Sequence, residues 1–148
     1  MKLSTKILYG IRLMLTLAQN YGNGPVFLKD VARRQDISPK YLSQIVIPLR
    51  SAGLVSSIRG PHGGYVLSRN PSLITLKEIT DTLEGEICLV ECIKNPSFCN
   101  RTATCASYEI WVMLENKISD TLNSVTLANL VQIGKDKSQH FMMHSARH

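Results

Sequence analysis

The sequence predicts a mainly α fold: a pair of short helices, a small β-hairpin and a long helix near the C-terminus. Three patterns carry that reading. Apolar residues recur at three- and four-residue intervals in several separate stretches, as amphipathic helices require. Two short β-prone runs, Leu54–Ile58 and Tyr65–Leu67, flank the glycine-rich tip "RGPHGG". A narrow apolar seam of Trp111, Leu114, Ile118, Leu122 and Val125 follows residue 105.

The chain opens with "MKLSTKILYGIRLMLTLAQNYG", an early lysine and an apolar stretch. Lys6 and Arg12 interrupt that stretch and no small-residue cleavage site follows, so it does not read as a signal peptide. Ile7, Leu8, Ile11, Met14, Leu15, Ala18 and Tyr21 fall instead at helical spacing. "GNGP" (22–25) breaks the pattern. "VFLKDVARRQDIS" (26–38) then sets Leu28, Val31, Ala32 and Ile37 on one side of a short helix. Ser38 suits the N-cap of the next helix and Pro39 its first turn, with Leu42, Ile45 and Leu49 as the inner stripe and Gly53 as the stop. Pro48 cannot donate to the carbonyl of Gln44, which predicts a bend or a tightening there.

Two helices, a minimal turn between them and a hairpin behind them predict a winged helix-turn-helix over residues 1–86. Within it, Thr75-x-x-Glu78 is a capping box that opens another short helix. Residues 87–104 read as a cysteine-rich loop. Residues 105–133 read as a long helix plus a helical turn, and its seam offers a dimerisation surface; packing of that seam on its own domain is the alternative. Residues 134–148 read as a disordered tail. His140, His144 and His148 recur there every four residues, a spacing able to hold a metal ion only in a helix.

The net charge of +6 is unevenly spread. Residues 1–70 hold ten Lys/Arg against two acids, a net +8, and residues 71–148 hold seven against nine, a net −2. The basic half suits a polyanion, with a merely solubilising surface as the plain alternative. No apolar run approaches the roughly 18 residues of a membrane span. No nucleotide-binding glycine motif, paired catalytic carboxylates or nucleophile–base pair stands out, which speaks against an enzyme. The expected location is the cytoplasm.

All four cysteines, Cys88, Cys92, Cys99 and Cys105, lie within eighteen positions. In a reducing cytoplasm clustered thiols serve as metal ligands or redox switches more often than as disulfides. The pattern Cys88-x3-Cys92-x6-Cys99-x5-Cys105 lacks the C-x2-C pairs of zinc knuckles. Wide, uneven gaps along one flexible segment suit iron–sulfur loops, so the spacing leans to iron–sulfur and leaves zinc open. Lys94 and Arg101 stand in the same segment, where they offset negative charge on thiolates and sulfides.

Several stretches together resemble the Rrf-type winged-helix transcription regulators, in particular their cluster-bearing IscR/NsrR-like branch. They are "STKILYGIRLMLTLA", "ISPKYLSQIVIPLRSAGLVSSIRGPHGGYVLSR", the triplet Cys92, Cys99 and Cys105 followed by Trp111, and "VTLANLV". The resemblance covers about residues 1–133, and the family also has members without a cluster. It implies a homodimer with crossed long helices that binds double-stranded promoter DNA, usually as a repressor. It further implies an iron–sulfur cluster that tunes this affinity, with 2Fe–2S ranked ahead of 4Fe–4S.

By position, Cys92, Cys99 and Cys105 would be the thiolate ligands. The gap from Cys92 to Cys99 is one residue longer than in the best-known members. The fourth ligand departs from the family. Tyr108 stands where one kind of member has histidine, and Leu8 where another has aspartate. Glu109 and Cys88 are the candidates in this chain, with a group from the partner subunit as a further source, Cys88 being alternatively a small apolar residue in the preceding helix. The resemblance also places a recognition helix at Ser38–Arg50 and the wing at Arg59–Gly64. Ser38, Lys40, Tyr41, Ser43 and Gln44, with Arg59 and His62 on the wing, are then the DNA-contact candidates. Gln44 suits adenine, Lys40 guanine or phosphate, and Arg59 a narrow minor groove. Arg33 and Arg34 suit phosphate. The competing function is a winged-helix regulator under thiol-redox or zinc control, without an iron–sulfur cluster.

Overall fold

A computed structural model describes residues 2–146, which form seven α-helices and one two-stranded sheet. Helix α1 (Thr5–Gln19) begins where the Ser4 hydroxyl accepts the Ile7 N–H at 3.2 Å. It buries Leu13, Met14 and Leu17 in the centre of the core. Helix α2 (Leu28–Gln35) stops at Asp36, whose left-handed backbone (φ 52°) makes the sharp turn. Aspartate tolerates that conformation because its short polar side chain bonds locally. The turn delivers Ser38, whose hydroxyl accepts the Tyr41 N–H and starts α3 (Pro39–Ser51). Leu42, Ile45 and Leu49 are fully buried on its inner face. The helix continues through Pro48, so the expected disturbance leaves it unbroken.

Strands β1 (Val55–Ile58) and β2 (Gly64–Leu67) pair antiparallel, Val55 opposite Leu67 and Ile58 opposite Gly64. Val26 lies outside the helix that the sequence suggested around it. It is extended and exchanges two backbone hydrogen bonds with Tyr65, at 2.9 and 2.8 Å, which moors the wing to the segment before α2. Gly64 makes this close approach feasible. Its φ is 139°, and a Cβ there would stand 2.6 Å from the Val26 carbonyl oxygen.

Helix α4 (Leu76–Glu84) carries only half of the predicted capping box. The Thr75 hydroxyl accepts the Glu78 N–H at 3.2 Å, but the Glu78 carboxylate pairs with Arg69. Residues 87–104 are more ordered than a plain loop. They hold a single-turn helix, α5 (Glu91–Lys94), and two 3-10 turns, Pro96–Phe98 and Thr102–Thr104. Helix α6 (Ala106–Ser124) matches its expected span, and none of its residues is buried.

The expectation of a disordered tail is overturned, because helix α7 runs from Leu127 to Ser145. A full capping box starts it, Thr126 and Asn129 each accepting the other's backbone N–H. Nucleating a helix is the costly step and propagation is cheap. A helix capped at Thr126 and anchored by buried Leu127 therefore propagates through residues 134–145. His148 lies outside the described residues. Among those residues no helix is long and apolar enough to cross a membrane.

The corner between α6 and α7 is tied to the N-terminal half by a short antiparallel bridge, Thr75 opposite Thr126. Leu76 N–H donates to the Val125 carbonyl and Leu127 N–H to the Ile74 carbonyl, both at 2.9 Å. The mooring of the wing yields a test. Gly64→Ala should lower the unfolding free energy by about 1–3 kcal/mol through strained backbone and a lost Val26 contact, read from the denaturant midpoint.

Candidate DNA interface and cysteine segment

Burying one stripe of α3 turns the opposite side outward. Lys40, Ser43 and Gln44 are exposed there. Ser38 is exposed too, but its oxygen caps the helix. The Ser43 hydroxyl donates to the Pro39 carbonyl at 2.9 Å, leaving its lone pairs outward. Tyr41 is half-buried. Its ring meets Tyr9 edge-on at 5.9 Å, and its hydroxyl lies 3.5 Å from Thr5 Oγ1. Arg12 sits over the Tyr9 ring at 5.6 Å, extending this small cluster. Tyr41 thus bolts the start of α3 to α1.

Arg59 and His62 are exposed at the wing tip, and Arg33 and Arg34 on the last turn of α2. Arg33 pairs with Asp30 at 3.1 Å, an exposed pair of little energetic weight that DNA phosphate can displace. Sequence reasoning missed Ile47, which is 61% exposed one turn beyond Ser43 and Gln44. The signal was available: Ile47 is an apolar residue that falls off the Leu42/Ile45/Leu49 stripe. An exposed apolar side chain on this face suits the C5-methyl group of thymine.

Cys92 sits in α5, Cys99 follows the Pro96–Phe98 turn, and Cys105 is the N-cap of α6; all three are half-buried. Cys88 is exposed beyond the end of α4, not packed in a helix, and its Sγ–H donates to the Val90 carbonyl at 3.4 Å. Glu109 is exposed in the first turn of α6. Among the described residues no three His, Cys, Asp or Glu side chains converge to hold a metal ion. The donor set nonetheless fits a thiophilic group in its chemistry, with three accessible thiols inside fourteen residues.

The Ser107 hydroxyl, 3.2 Å from the Cys105 Sγ, holds that thiol below its usual range. The Tyr108 amide acts in the same direction; desolvation opposes them, and the Ser107 amide and the Arg101 charge add smaller pushes downward. A second contact escaped the sequence entirely. The Glu115 carboxylate accepts the Leu89 N–H at 3.0 Å, latching the start of the cysteine segment to the middle of α6. No periodic pattern marks a contact between residues so far apart in the chain.

On the outer side of α6, Ile110, Trp111, Met113 and Leu114 are all exposed, while Ile118, Leu122 and Val125 are half-buried. The thiol electrostatics yield a test. In reduced, metal-free protein Cys105 should be the first of the four cysteines to alkylate. Its rate should rise at lower pH than that of a free cysteine, because a lowered pKa supplies more thiolate near neutrality. Peptide mapping of iodoacetamide adducts across a pH series reads this.

Residues 3–133 match the Rrf2 family, described as an iron-dependent transcriptional regulator. The chain is 39% identical over 144 residues to the HTH-type transcriptional regulator CymR of Bacillus subtilis, spanning 97% of this chain and 99% of that protein. The solved structure of CymR, named there as the global cysteine regulator of B. subtilis, superposes with a TM-score of 0.78 at 41% identity over 90% of this chain and 98% of that one. The structure of T. potens IscR superposes with a TM-score of 0.77 at 36% identity over 93% and 90% of the two chains. The arrangement of α2, α3 and the hairpin is the winged helix-turn-helix these relatives share, and the chain belongs to the Rrf2 family of DNA-binding transcription regulators.

Proposed function

We propose that the chain acts in the cytoplasm as a homodimer, mainly as a repressor, and that an iron–sulfur cluster on Cys92, Cys99 and Cys105 sets its affinity for promoter DNA. One observation carries the reading: the three thiols lie on the segment that runs directly into the N-terminus of α6. That helix also exposes an apolar strip, Ile110 to Leu114, suited to a second copy related by twofold symmetry. When bound, a cluster, 2Fe–2S in the first instance, would supply a redox-sensitive link among the three thiolates, with Glu109 or Cys88 as fourth ligand. The protein's own part is to hold the segment through Glu115 and to carry its position to the corner at Thr75 and Thr126.

On DNA, the outer face of α3 enters the major groove. Gln44 and Ile47 read base edges, Lys40 and Ser43 take bases or phosphate, and Ser38 and Tyr41 fix the start of the helix. Arg59 and His62 reach along the minor groove from the wing, and Arg33 and Arg34 meet phosphate. A second reading, thiol-redox or zinc control without a cluster, is favoured by the Ser107 hydroxyl beside Cys105, which lowers the pKa of that thiol.

The deciding experiment purifies the protein without oxygen, records its absorption spectrum, and titrates a selected duplex with and without the chromophore. Sulfide-to-iron charge-transfer bands and a DNA affinity changed by about 5–150-fold on cluster loss are expected. Equal affinities overturn the switch, and a colourless, active protein with stoichiometric zinc supports the second reading. Gln44→Ala should cost about 1–3 kcal/mol of discrimination at one base pair. Arg34→Ala should weaken all duplexes alike and flatten the salt dependence by about one unit of slope, both read from binding isotherms over a salt series.

A further inference from the structure

The helical tail brings together two side chains that a disordered one would not. His140 and His144 lie one turn apart on the same face of α7, both exposed. Their ring centroids are 4.6 Å apart, with the rings tilted by 45°. We propose that this pair is a binding site for a borderline divalent transition-metal ion such as nickel(II) or zinc(II).

Two histidines at i and i+4 on a helix are the spacing by which zinc is chelated from one face. Imidazole nitrogens that share a metal at about 2.0–2.1 Å lie ~3 Å from each other. Rings 4.6 Å apart at their centres reach that separation by rotating about their own side-chain bonds, with the helix backbone already in place. Imidazole selects zinc, nickel and copper over the hard oxygen-seeking magnesium and calcium. Solvent access to both rings leaves water to complete the coordination shell.

Asp136 stands one turn before His140, but its carboxylate accepts the Gln132 amide at 2.9 Å. The ligand pair proposed is the two imidazoles, since no three donors converge among the described residues. The site lies on α7, apart in the chain from the cysteine segment, and is independent of it. A metal bridging one turn also clips the end of α7.

The test titrates nickel(II) into the full-length chain above the ordinary imidazole pKa of about 6.5, following heat and histidine ring proton signals. The comparison is the paired exchange His144→Ser and Ser145→His, which keeps every imidazole and every thiol but moves one ring off the face. Both positions are exposed, so the core is untouched. The unaltered chain should bind one more nickel ion than the exchanged one, or bind it about tenfold or more tightly. Broadening should reach the His140 and His144 rings before that of His62 on the wing. Identical stoichiometry and affinity in the two chains, or simultaneous broadening of all three rings, overturns the proposal.

Discussion

The packing of α3 against α1 is the constraint on which the rest depends. Leu42, Ile45 and Leu49 are completely buried, as are Leu13 and Met14 of α1. Burial of an aliphatic side chain of this size is worth about 1.5–3 kcal/mol, so this stripe fixes the rotation of α3 about its axis. Once the rotation is fixed, helical geometry leaves no choice about what faces outward: Lys40, Ser43, Gln44 and Ile47. These exposed side chains contribute little to stability. In the proposed reading their identities can therefore change the DNA sequence read without changing the fold.

Two short backbone bridges assemble the remaining parts around that core. Val26 with Tyr65 moors the hairpin, and Thr75 with Thr126 moors the α6–α7 corner. The second bridge sits between Ile74 and Leu127, both fully buried. Movement of α6 at that end thus acts on the core rather than on a loop. At the other end, Glu115 ties α6 to Leu89. The cysteine segment, α6 and the DNA-binding half form one continuous set of hydrogen bonds and packed side chains. Continuity is only the first requirement of a switch; the second is an element with two arrangements that both sites bias.

Much of the fold was legible because helices and hairpins leave local marks. The Leu42/Ile45/Leu49 stripe, the Ser38–Pro39 start and the glycines of "RGPHGG" each encode structure within a few residues. Two misreadings share one physical cause, a partner outside the local pattern: Glu78 turns to Arg69 instead of closing its capping box, and Val26 pairs with Tyr65 of β2. The tail was misread for the opposite reason: its own residues give little helical signal, and its order is inherited from the cap at Thr126. At the site, the identity of the thiols was legible and their mutual geometry was not, since spacing along the chain does not fix distance across three short turns.

Those short turns suit a sensing segment better than a rigid cage would. None of the residues of α5 or of the two 3-10 turns is buried, so little apolar packing holds them in one arrangement. Segments with few buried contacts open at low free-energy cost, and moving elements are drawn from that end of the stability range. In the proposed reading, whatever the thiols hold contributes the order that the core does not. A ligand shifts such an equilibrium only by its differential affinity for the two arrangements. A segment prefolded by strong packing would bind its cofactor and transmit nothing, because the apo and loaded forms would already coincide. The half-buried thiols, and a single latch at Glu115 rather than a packed core, leave room for that difference.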